Sequence, residues 1–253
     1  MFSKAIVRTP CKNLINGLTK ANLGLPVYEK ALIQHQYYIE ALKYCGLEVI
    51  ILNADEDYPD STFIEDTALL TPHCAVITNP GAPSRRGETV EIKTVLTEYY
   101  SNIEKINDPG ALDAGDIVMV GDHYYIGLSQ RTNEAGANQL IDIVESYGMT
   151  ASVIKLEKVL HLKTGVSYLE KNNFIVAGEF ITNPEFQKYN QLKIDDDESY
   201  AANCVWVNDH VLLPKGFPKS KMIIEKTGYK IIEVDVSEFQ KLDGGLSCLS
   251  LRF

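Results

Sequence analysis

A recurring order of elements runs through the 253-residue sequence: two short strands around a tight turn, then a helix, then a third strand. Apolar residues alternate along the paired strands, and turn-forming pairs such as Gly121-Asp122 and Asn208-Asp209 separate them. Helical spacing of apolar residues follows in three copies, while one has only a short helical signal. Four copies are explicit, with strand pairs within residues 63–78, 117–126, 166–177 and 204–213.

A fifth copy forms only if the two ends of the chain meet. Residues 246–251 read as a strand that pairs with residues 5–9, and a helix at 28–45 and a strand at 48–52 complete the unit. Five copies of about 50 residues each fit a propeller-like repeat arrangement. We therefore expect a single domain, residues 1–253, that closes on itself. An open mixed sheet with irregular hairpins is the alternative.

The net charge of the chain limits which classes of molecule it can bind. The formal net charge is -10 and the isoelectric point is near 5.0. A surface that binds nucleic acid or an anionic membrane needs clustered Lys and Arg, so neither partner is expected, whereas a small cationic substrate fits. The first residues contain no long apolar run, which predicts a cytoplasmic protein without a membrane span. Five scattered cysteines without a C-x-x-C motif predict free thiols.

Polar residues concentrate in the segments that lead into the strand pairs. Equivalent positions in a closed ring converge on its axis, so these segments would bring a thiol, an imidazole and several carboxylates into one pocket. Cysteine-based covalent catalysis needs this combination of nucleophile, acid/base and orienting group. The residues concerned are Asp60, Glu65, Asp66, Asp113, Asp116, His161 and Cys248.

Each of these residues also has an ordinary structural interpretation. Cys248 could be a small core cysteine, His161 a buried core histidine, and Asp60 a turn or cap residue. Arg85 and Arg131 precede predicted helices and could together clamp a carboxylate, although a solvated surface arginine is the alternative for either.

Four motifs resemble the signatures of the pentein, or guanidine-modifying, superfamily. The motifs are Phe63-Ile64-Glu65-Asp66, Leu112-Asp113-Ala114-Gly115-Asp116, His161-Leu162-Lys163-Thr164-Gly165 and Asp243-Gly244-Gly245-Leu246-Ser247-Cys248. From end to end the chain resembles the bacterial dimethylarginine dimethylaminohydrolases. The resemblance implies a five-bladed, pseudo-symmetric α/β propeller. It also implies hydrolysis of Nω-methylated arginines to citrulline and a methylamine, through an S-alkylthiouronium intermediate and without cofactor or metal.

The resemblance also implies a role for each matching residue. Cys248 would be the nucleophile, His161 the general acid/base, and Asp113 the group that orients His161. The family usually has Glu at the position of Asp113, and aspartate is one methylene shorter. The substrate would be held by Glu65 and Asp66 at its guanidinium, Phe63 at its methyl groups, Arg85 and Arg131 at its carboxylate, and Asp60 with the carbonyls of Leu18 and Leu242 at its ammonium group.

Other functions stay open at this point. An arginine deiminase or an amidinotransferase would use the same residues, and a catalytically silent propeller could still bind a ligand. A zinc-binding protein could use Cys248 and His161, although two ligands are too few for a structural site. Residues 11–26 form a glycine-bearing loop that we expect to act as a mobile lid. A homodimer is left open.

Overall fold

The computed structural model describes all 253 residues and contains five three-stranded sheets. Every sheet has the same topology, in which the first strand is antiparallel to the second and the second is parallel to the third. The repeated unit predicted from the sequence is thereby confirmed, and the fifth copy is indeed built from both ends of the chain.

The helices and strands have the following bounds. The strands are β1 (Lys4–Arg8), β2 (Glu48–Leu52), β3 (Ala68–Leu70), β4 (Ala75–Ile77), β5 (Ile103–Lys105), β6 (Ile117–Val120), β7 (His123–Leu128), β8 (Thr150–Lys155), β9 (Val166–Tyr168), β10 (Asn173–Ala177), β11 (Asn190–Ile194), β12 (Val205–Val207), β13 (His210–Pro214), β14 (Lys230–Val234) and β15 (Leu251–Arg252). The α-helices are α1 (Tyr28–Tyr44), α2 (Thr89–Leu96), α3 (Glu134–Ser146), α4 (Leu162–Gly165), α5 (Pro218–Glu225) and α6 (Ser237–Gln240). None of them combines the length and the apolarity that a membrane crossing requires.

The sheets define five units, numbered from the one that joins the chain ends. The first contains β15, β1 and β2, and the second to fifth contain β3–β5, β6–β8, β9–β11 and β12–β14. Each of the five apolar cores is shared by two neighbouring units. For example, Leu42 of the first unit and Phe239 beyond the last strand of the fifth lie in the same core. Burying one such side chain stabilises the fold by about 1.5–3 kcal/mol, so apolar packing holds the ring closed.

The prediction of a strand at residues 246–251 is wrong. Ser247–Leu249 form a 3-10 turn, and only Leu251 and Arg252 pair with β1. The backbone of Leu246 is helical, and the Ser247 N–H donates to Asn203 Oδ1 at 2.9 Å instead of joining a ladder. Alternating Leu and Ser residues suit a strand, but this side-chain hydrogen bond stabilises the turn.

The fourth unit also differs from the prediction. Its short helix at residues 184–189 is a 3-10 turn, Pro184–Phe186, and the strand β11 that follows was not predicted. β11 has the sequence Asn-Gln-Leu-Lys-Ile, with only two apolar side chains, so its pattern is too weak to indicate a strand.

A short helical turn precedes the first strand of every unit. We call these five segments the axial turns: Ser247–Leu249, Ile64–Thr67, Ala114–Asp116, Leu162–Gly165 and Asp196–Ala202, for the first to fifth units respectively. The turns of the first four units contact one another in sequence, and α4 contacts the turn of the fifth. The predicted polar residues lie in or beside these turns, which places them around the centre of the ring.

Candidate active site

Residues of the axial turns and of nearby loops line a small, partly open cavity. Nine residues predicted from the sequence form its wall: Leu18, Asp60, Phe63, Asp66, Arg85, Arg131, His161, Leu242 and Cys248. Leu160, Asp243 and Gly244 complete the lining. Glu65 and Asp113, the other two predicted residues, do not line it.

Cys248 lies in the axial turn of the first unit. Its Sγ accepts a hydrogen bond from the Gly245 N–H at 3.4 Å, and its own N–H donates to the Gly245 carbonyl at 3.2 Å. Burial raises the pKa of the Cys248 thiol to about 12, and the charges of Glu65 and Asp66 add to the effect. The other four cysteines are buried and lie outside the cavity, so Cys248 is the thiol that a ligand there would meet.

His161 precedes α4 and turns its ring toward the cavity. Its Nε2 lies 3.1 Å from Asp113 Oδ2, while Nδ1 has no hydrogen-bond partner within the protein. Burial by itself lowers the pKa of His161, but nearby carboxylates outweigh burial and raise the pKa to about 9. These carboxylates are Asp66, Asp116 and Asp113. His161 is therefore protonated at neutral pH and has a proton to give.

Asp113 is completely buried behind His161. Its Oδ1 accepts the Gly81 N–H at 2.8 Å, and its Oδ2 faces His161 and, at 3.8 Å, Arg131 Nη1. An aspartate at this position therefore reaches the imidazole despite its shorter side chain. Two fixed contacts leave the carboxylate little freedom, which suits a group that orients a histidine.

Asp66 is an ionised carboxylate in the cavity wall. Its Oδ1 accepts the Gly115 N–H at 2.9 Å and its Oδ2 accepts Arg85 Nη1 at 2.6 Å. Burial alone would raise the pKa of Asp66, but the charges of His161 and Arg85 and these hydrogen bonds lower it. Asp66 thus carries a negative charge where a guanidinium could bind.

Glu65 points away from the thiol cavity. Its Oε1 accepts hydrogen bonds from Lys163 Nζ at 2.8 Å and Arg252 Nη2 at 3.1 Å, and it lines a second cavity near the axis. Its Oε2 is buried without a hydrogen-bond partner. The expectation that Glu65 holds a guanidinium stays a prediction, and the geometry favours Asp66 for that contact.

The two predicted anion-binding arginines differ in availability. Arg85 is buried, with hydrogen bonds from its guanidinium to Glu88, Asp66 and the Phe63 carbonyl. Arg131 Nη1 is buried and has no hydrogen-bond partner. A buried guanidinium nitrogen without an acceptor is costly, so Arg131 is the better candidate to bind a carboxylate.

Asp60 and two backbone carbonyls form an acidic corner of the cavity. Asp60 Oδ1 accepts the Leu18 N–H at 2.9 Å, and burial raises the pKa of Asp60. The carbonyl oxygens of Leu18 and Leu242 accept no hydrogen bond within the protein. This corner therefore offers acceptors for an ammonium group.

Two supporting residues were not recognised from the sequence. A Cβ at Gly115 would lie 2.9 Å from His161 Nδ1 and 2.8 Å from Asp66 Oδ1, so only glycine allows these side chains their positions. Asp116 was noted as polar but given no role; its Oδ1 accepts the Leu162 N–H at 2.9 Å and thereby fixes the residue after His161. The glycine in Asp113-Ala114-Gly115-Asp116 was the available signal for a close backbone approach.

A possible metal-ligating set is also present. Ligand atoms of Asp66, Asp113 and His161 lie within 4.8 Å of one another. Cys248, which the zinc alternative requires, is not a member of this set. The geometry therefore gives no support to zinc held by Cys248 and His161.

Known proteins match this chain over its full length. A family model described as "N,N dimethylarginine dimethylhydrolase, eukaryotic" matches residues 18–199. The N(G),N(G)-dimethylarginine dimethylaminohydrolase of Pseudomonas aeruginosa is 54% identical over 100% of both chains. The Streptomyces coelicolor protein of that name is 33% identical over 98% of this chain and 96% of its own length. The chain belongs to the dimethylarginine dimethylaminohydrolase family.

Solved structures agree with this assignment. The dimethylarginine dimethylaminohydrolase of P. aeruginosa, as a cysteine-to-serine variant complexed with citrulline, matches with a TM-score of 0.99, 54% identity and 100% coverage of both chains. The N-terminal domain of ArgZ, a cyanobacterial arginine dihydrolase bound to product, matches with a TM-score of 0.89 at 18% identity, covering 100% of this chain and 97% of that one, and shows the shared fold only. The predicted family and its five-bladed α/β propeller are confirmed.

The predicted lid, residues 11–26, contains a 3-10 turn at Lys12–Asn16, and the remaining loop, residues 17–26, lies beside the thiol cavity. Lys20 N donates to Asp243 Oδ2 at 2.6 Å, Thr19 Oγ1 donates to the Lys241 carbonyl at 2.9 Å, and Leu18 is part of the cavity wall. Leu25 in the same loop is 74% exposed. The cavity volume is about 30 Å³, close to that of one or two water molecules and far too small for an arginine. We therefore expect the loop to move when a ligand enters.

Adding citrulline is expected to slow amide hydrogen exchange in residues 17–26, because a ligand would hold the loop against residues 241–243. Helix α3, which lies outside the cavity wall, serves as the internal reference and should exchange at the same rate with and without citrulline. Exchange in the loop that does not change at saturating citrulline would show that it is not a lid.

Proposed function

We propose that this protein is a dimethylargininase, which hydrolyses asymmetric dimethylarginine and monomethylarginine to citrulline and dimethylamine or methylamine. The observation that carries the proposal is one cavity in which a thiol, a protonated histidine backed by a carboxylate, and a second carboxylate converge, namely Cys248, His161 with Asp113, and Asp66. Membership of the family supports the substrate class.

The cavity offers a complementary group for each part of a methylated arginine. Asp66 accepts hydrogen bonds from an unmethylated guanidinium nitrogen, and the ring of Phe63 provides an apolar wall for methyl groups. Arg131, whose Nη1 lacks a hydrogen-bond partner, binds the substrate carboxylate, with Arg85 beside it. Asp60 and the carbonyls of Leu18 and Leu242 accept the ammonium group. These contacts hold the guanidinium carbon beside the thiol. The attack then resembles an intramolecular reaction and loses less entropy than a collision in solution.

The chemistry then takes two steps. When the substrate binds, the Cys248 thiol loses its proton to solvent, and the resulting thiolate attacks the guanidinium carbon and forms a C–S bond. The C–N bond to the methylated nitrogen breaks as His161 donates its proton to the departing amine. A water molecule then attacks the S-alkylthiouronium carbon while His161 accepts a proton, and the C–S bond breaks to release citrulline and the thiol. One proton of the attacking water restores protonated His161, the other restores the Cys248 thiol, and the water oxygen stays in citrulline.

Substrate binding favours the reactive, ionised form of the thiol. Burial and the charges of Glu65 and Asp66 raise the pKa of Cys248 in the unoccupied site. A bound guanidinium cation offsets those carboxylates and favours the thiolate. Ionisation is thereby coupled to substrate binding.

Citrulline release from four guanidines tests the proposal. We expect kcat/KM for asymmetric dimethylarginine and monomethylarginine to exceed that for arginine by about 10- to 100-fold, because arginine leaves N–H donors unpaired near a wall built for methyl groups. Symmetric dimethylarginine should be poor, since its second methyl group removes a donor that Asp66 needs. Faster turnover of arginine than of both favoured substrates would indicate an arginine deiminase, and no citrulline from any of the four would indicate a silent propeller.

A further inference from the structure

Arg252 reaches back from β15 across the turn that carries Cys248. Its Nη1 donates to the carbonyl oxygens of Ser247 at 3.2 Å and Ser250 at 3.1 Å, and to Ser250 Oγ at 2.7 Å. Its Nη2 donates to Glu65 Oε1 at 3.1 Å. One guanidinium therefore binds the backbone on both sides of Cys248 and a carboxylate of the second unit.

Arg252 and the residues that it contacts are largely buried. Its side chain is 12% exposed, and Ser247 and Ser250 are buried. Glu65 is its one carboxylate partner and lies next to Asp66 in the axial turn of the second unit. A buried charge is stable only when its hydrogen bonds are satisfied with good geometry, and the planar guanidinium meets that condition here.

The contacts fix the orientation of the thiol. The Ser247 carbonyl belongs to the peptide unit that precedes Cys248, and the Ser250 carbonyl lies two residues beyond it. Holding both carbonyls on one rigid group restricts rotation of the short turn between them. The same group connects this turn to Glu65 and therefore to the segment that carries Asp66.

The geometry points to Arg252 as a positioning residue that aligns the Cys248 thiol with a guanidinium held by Asp66. Arg252 does not line the thiol cavity, so it acts through the turn and not on the substrate. The inference rests on the proposed function, because alignment matters only if Cys248 attacks a bound guanidinium. Neither the sequence patterns nor the resemblance assigned a role to this arginine.

Lys163 and Arg8 make the inference testable. Lys163 also donates to Glu65 Oε1, at 2.8 Å, so Glu65 keeps one cationic partner when Arg252 is replaced. Arg8 on β1 is a buried arginine too, with an ion pair to Glu91 at 2.7 Å and a hydrogen bond to the Asn53 carbonyl, but it does not contact the Cys248 turn. Arg8→Met is therefore a matched control for the loss of a buried arginine.

The experiment compares two reactions of Cys248, both followed by mass spectrometry. Formation of the thiouronium adduct from monomethylarginine in rapidly quenched single turnovers requires alignment, whereas alkylation by iodoacetamide requires an accessible, ionised thiol but no bound guanidinium. In Arg252→Met we expect adduct formation to slow by about 100-fold with KM nearly unchanged, and alkylation to change by less than about threefold. Arg252→Lys keeps the charge and loses the forked contact, and we expect a loss of about tenfold. This second variant tests the inference if Arg252→Met does not fold.

The outcomes distinguish failure of the positioning role from failure of the proposed function. Adduct formation in Arg252→Met and Arg252→Lys as fast as in the wild type would overturn the positioning role. An equal loss in Arg8→Met, with a similar fall in Tm, would also overturn it, because general destabilisation would then explain the effect. A wild-type protein that forms no adduct with any methylarginine would remove the proposed function itself.

Discussion

Replacing Cys248 with serine is expected to lower kcat for methylarginine hydrolysis by at least about 10⁴-fold, as the loss of an enzyme's nucleophile does in comparable systems. Serine matches the shape of cysteine, so the axial turn and its hydrogen bonds should persist. Its hydroxyl, however, ionises far less readily than a thiol. His161 is already protonated near neutral pH and cannot remove the hydroxyl proton.

Steady-state citrulline release measures the loss, and far-UV circular dichroism with thermal unfolding checks the fold. Denaturing mass spectrometry of wild-type protein quenched during turnover should show one adduct, on Cys248. Cys74→Ser is the matched control, since Cys74 is buried outside the cavity and should keep full turnover. An adduct on Cys74 or Cys11 would contradict the assignment of the nucleophile.

Replacing Asp113 with asparagine is expected to lower kcat/KM by about 10³- to 10⁴-fold, because the carboxylate that orients a catalytic histidine contributes up to this scale. Loss of the negative charge also lowers the pKa of His161, which the folded protein holds at about 9. The proton donor is then lost at a lower pH. The alkaline limb of the rate profile should therefore move to lower pH in Asp113→Asn.

The effect on stability has a defined sign. The pKa of His161 is about 9 in the fold against 6.5 for a free histidine, so its charged form stabilises the protein fully below about pH 6.5. That contribution is lost as the pH rises through about 9. Urea unfolding of Asp113→Asn should show its largest deficit below pH 6.5. Asp122→Asn, in the exposed turn between β6 and β7, controls for charge removal, and an unchanged alkaline limb in Asp113→Asn would contradict the assigned role.

The sequence predicted the ring because the order of elements and the turn residues repeat, and these are local properties. It also predicted which residues converge, since equivalent positions of a closed ring must face its axis. The sequence could not show that Asp66 lines the thiol cavity whereas Glu65 does not. Successive residues on a 3-10 turn point about 120° apart, so neighbours in the chain face two different cavities.

The end of the chain shows a second limit of sequence reasoning. Residues 246–251 have the alternation of a strand, but the backbone turns because Asn203, from beside the fifth axial turn, and Arg252 bind the carbonyl and amide groups of this segment. The Asn203 contact joins residues 44 positions apart, and neither this contact nor those of Arg252 leave a periodic signal in the sequence. The sequence also does not show that Arg85 and Arg131 differ in availability. Glu88 and Asp66 form hydrogen bonds with Arg85, whereas Arg131 Nη1 has only the ion pair with Asp113 at 3.8 Å.

The sharing of every apolar core between adjacent units makes the protein a closed mechanical linkage of five members. In such a linkage no joint changes its angle alone, because the other four must accommodate the change. Altering side-chain volume at one joint, for example at Leu140 between the second and third units, shifts the reacting groups relative to each other without touching any of them. We therefore expect the packing around the ring to set the spacing between thiol, imidazole and carboxylates, so that substitutions at its periphery alter substrate preference.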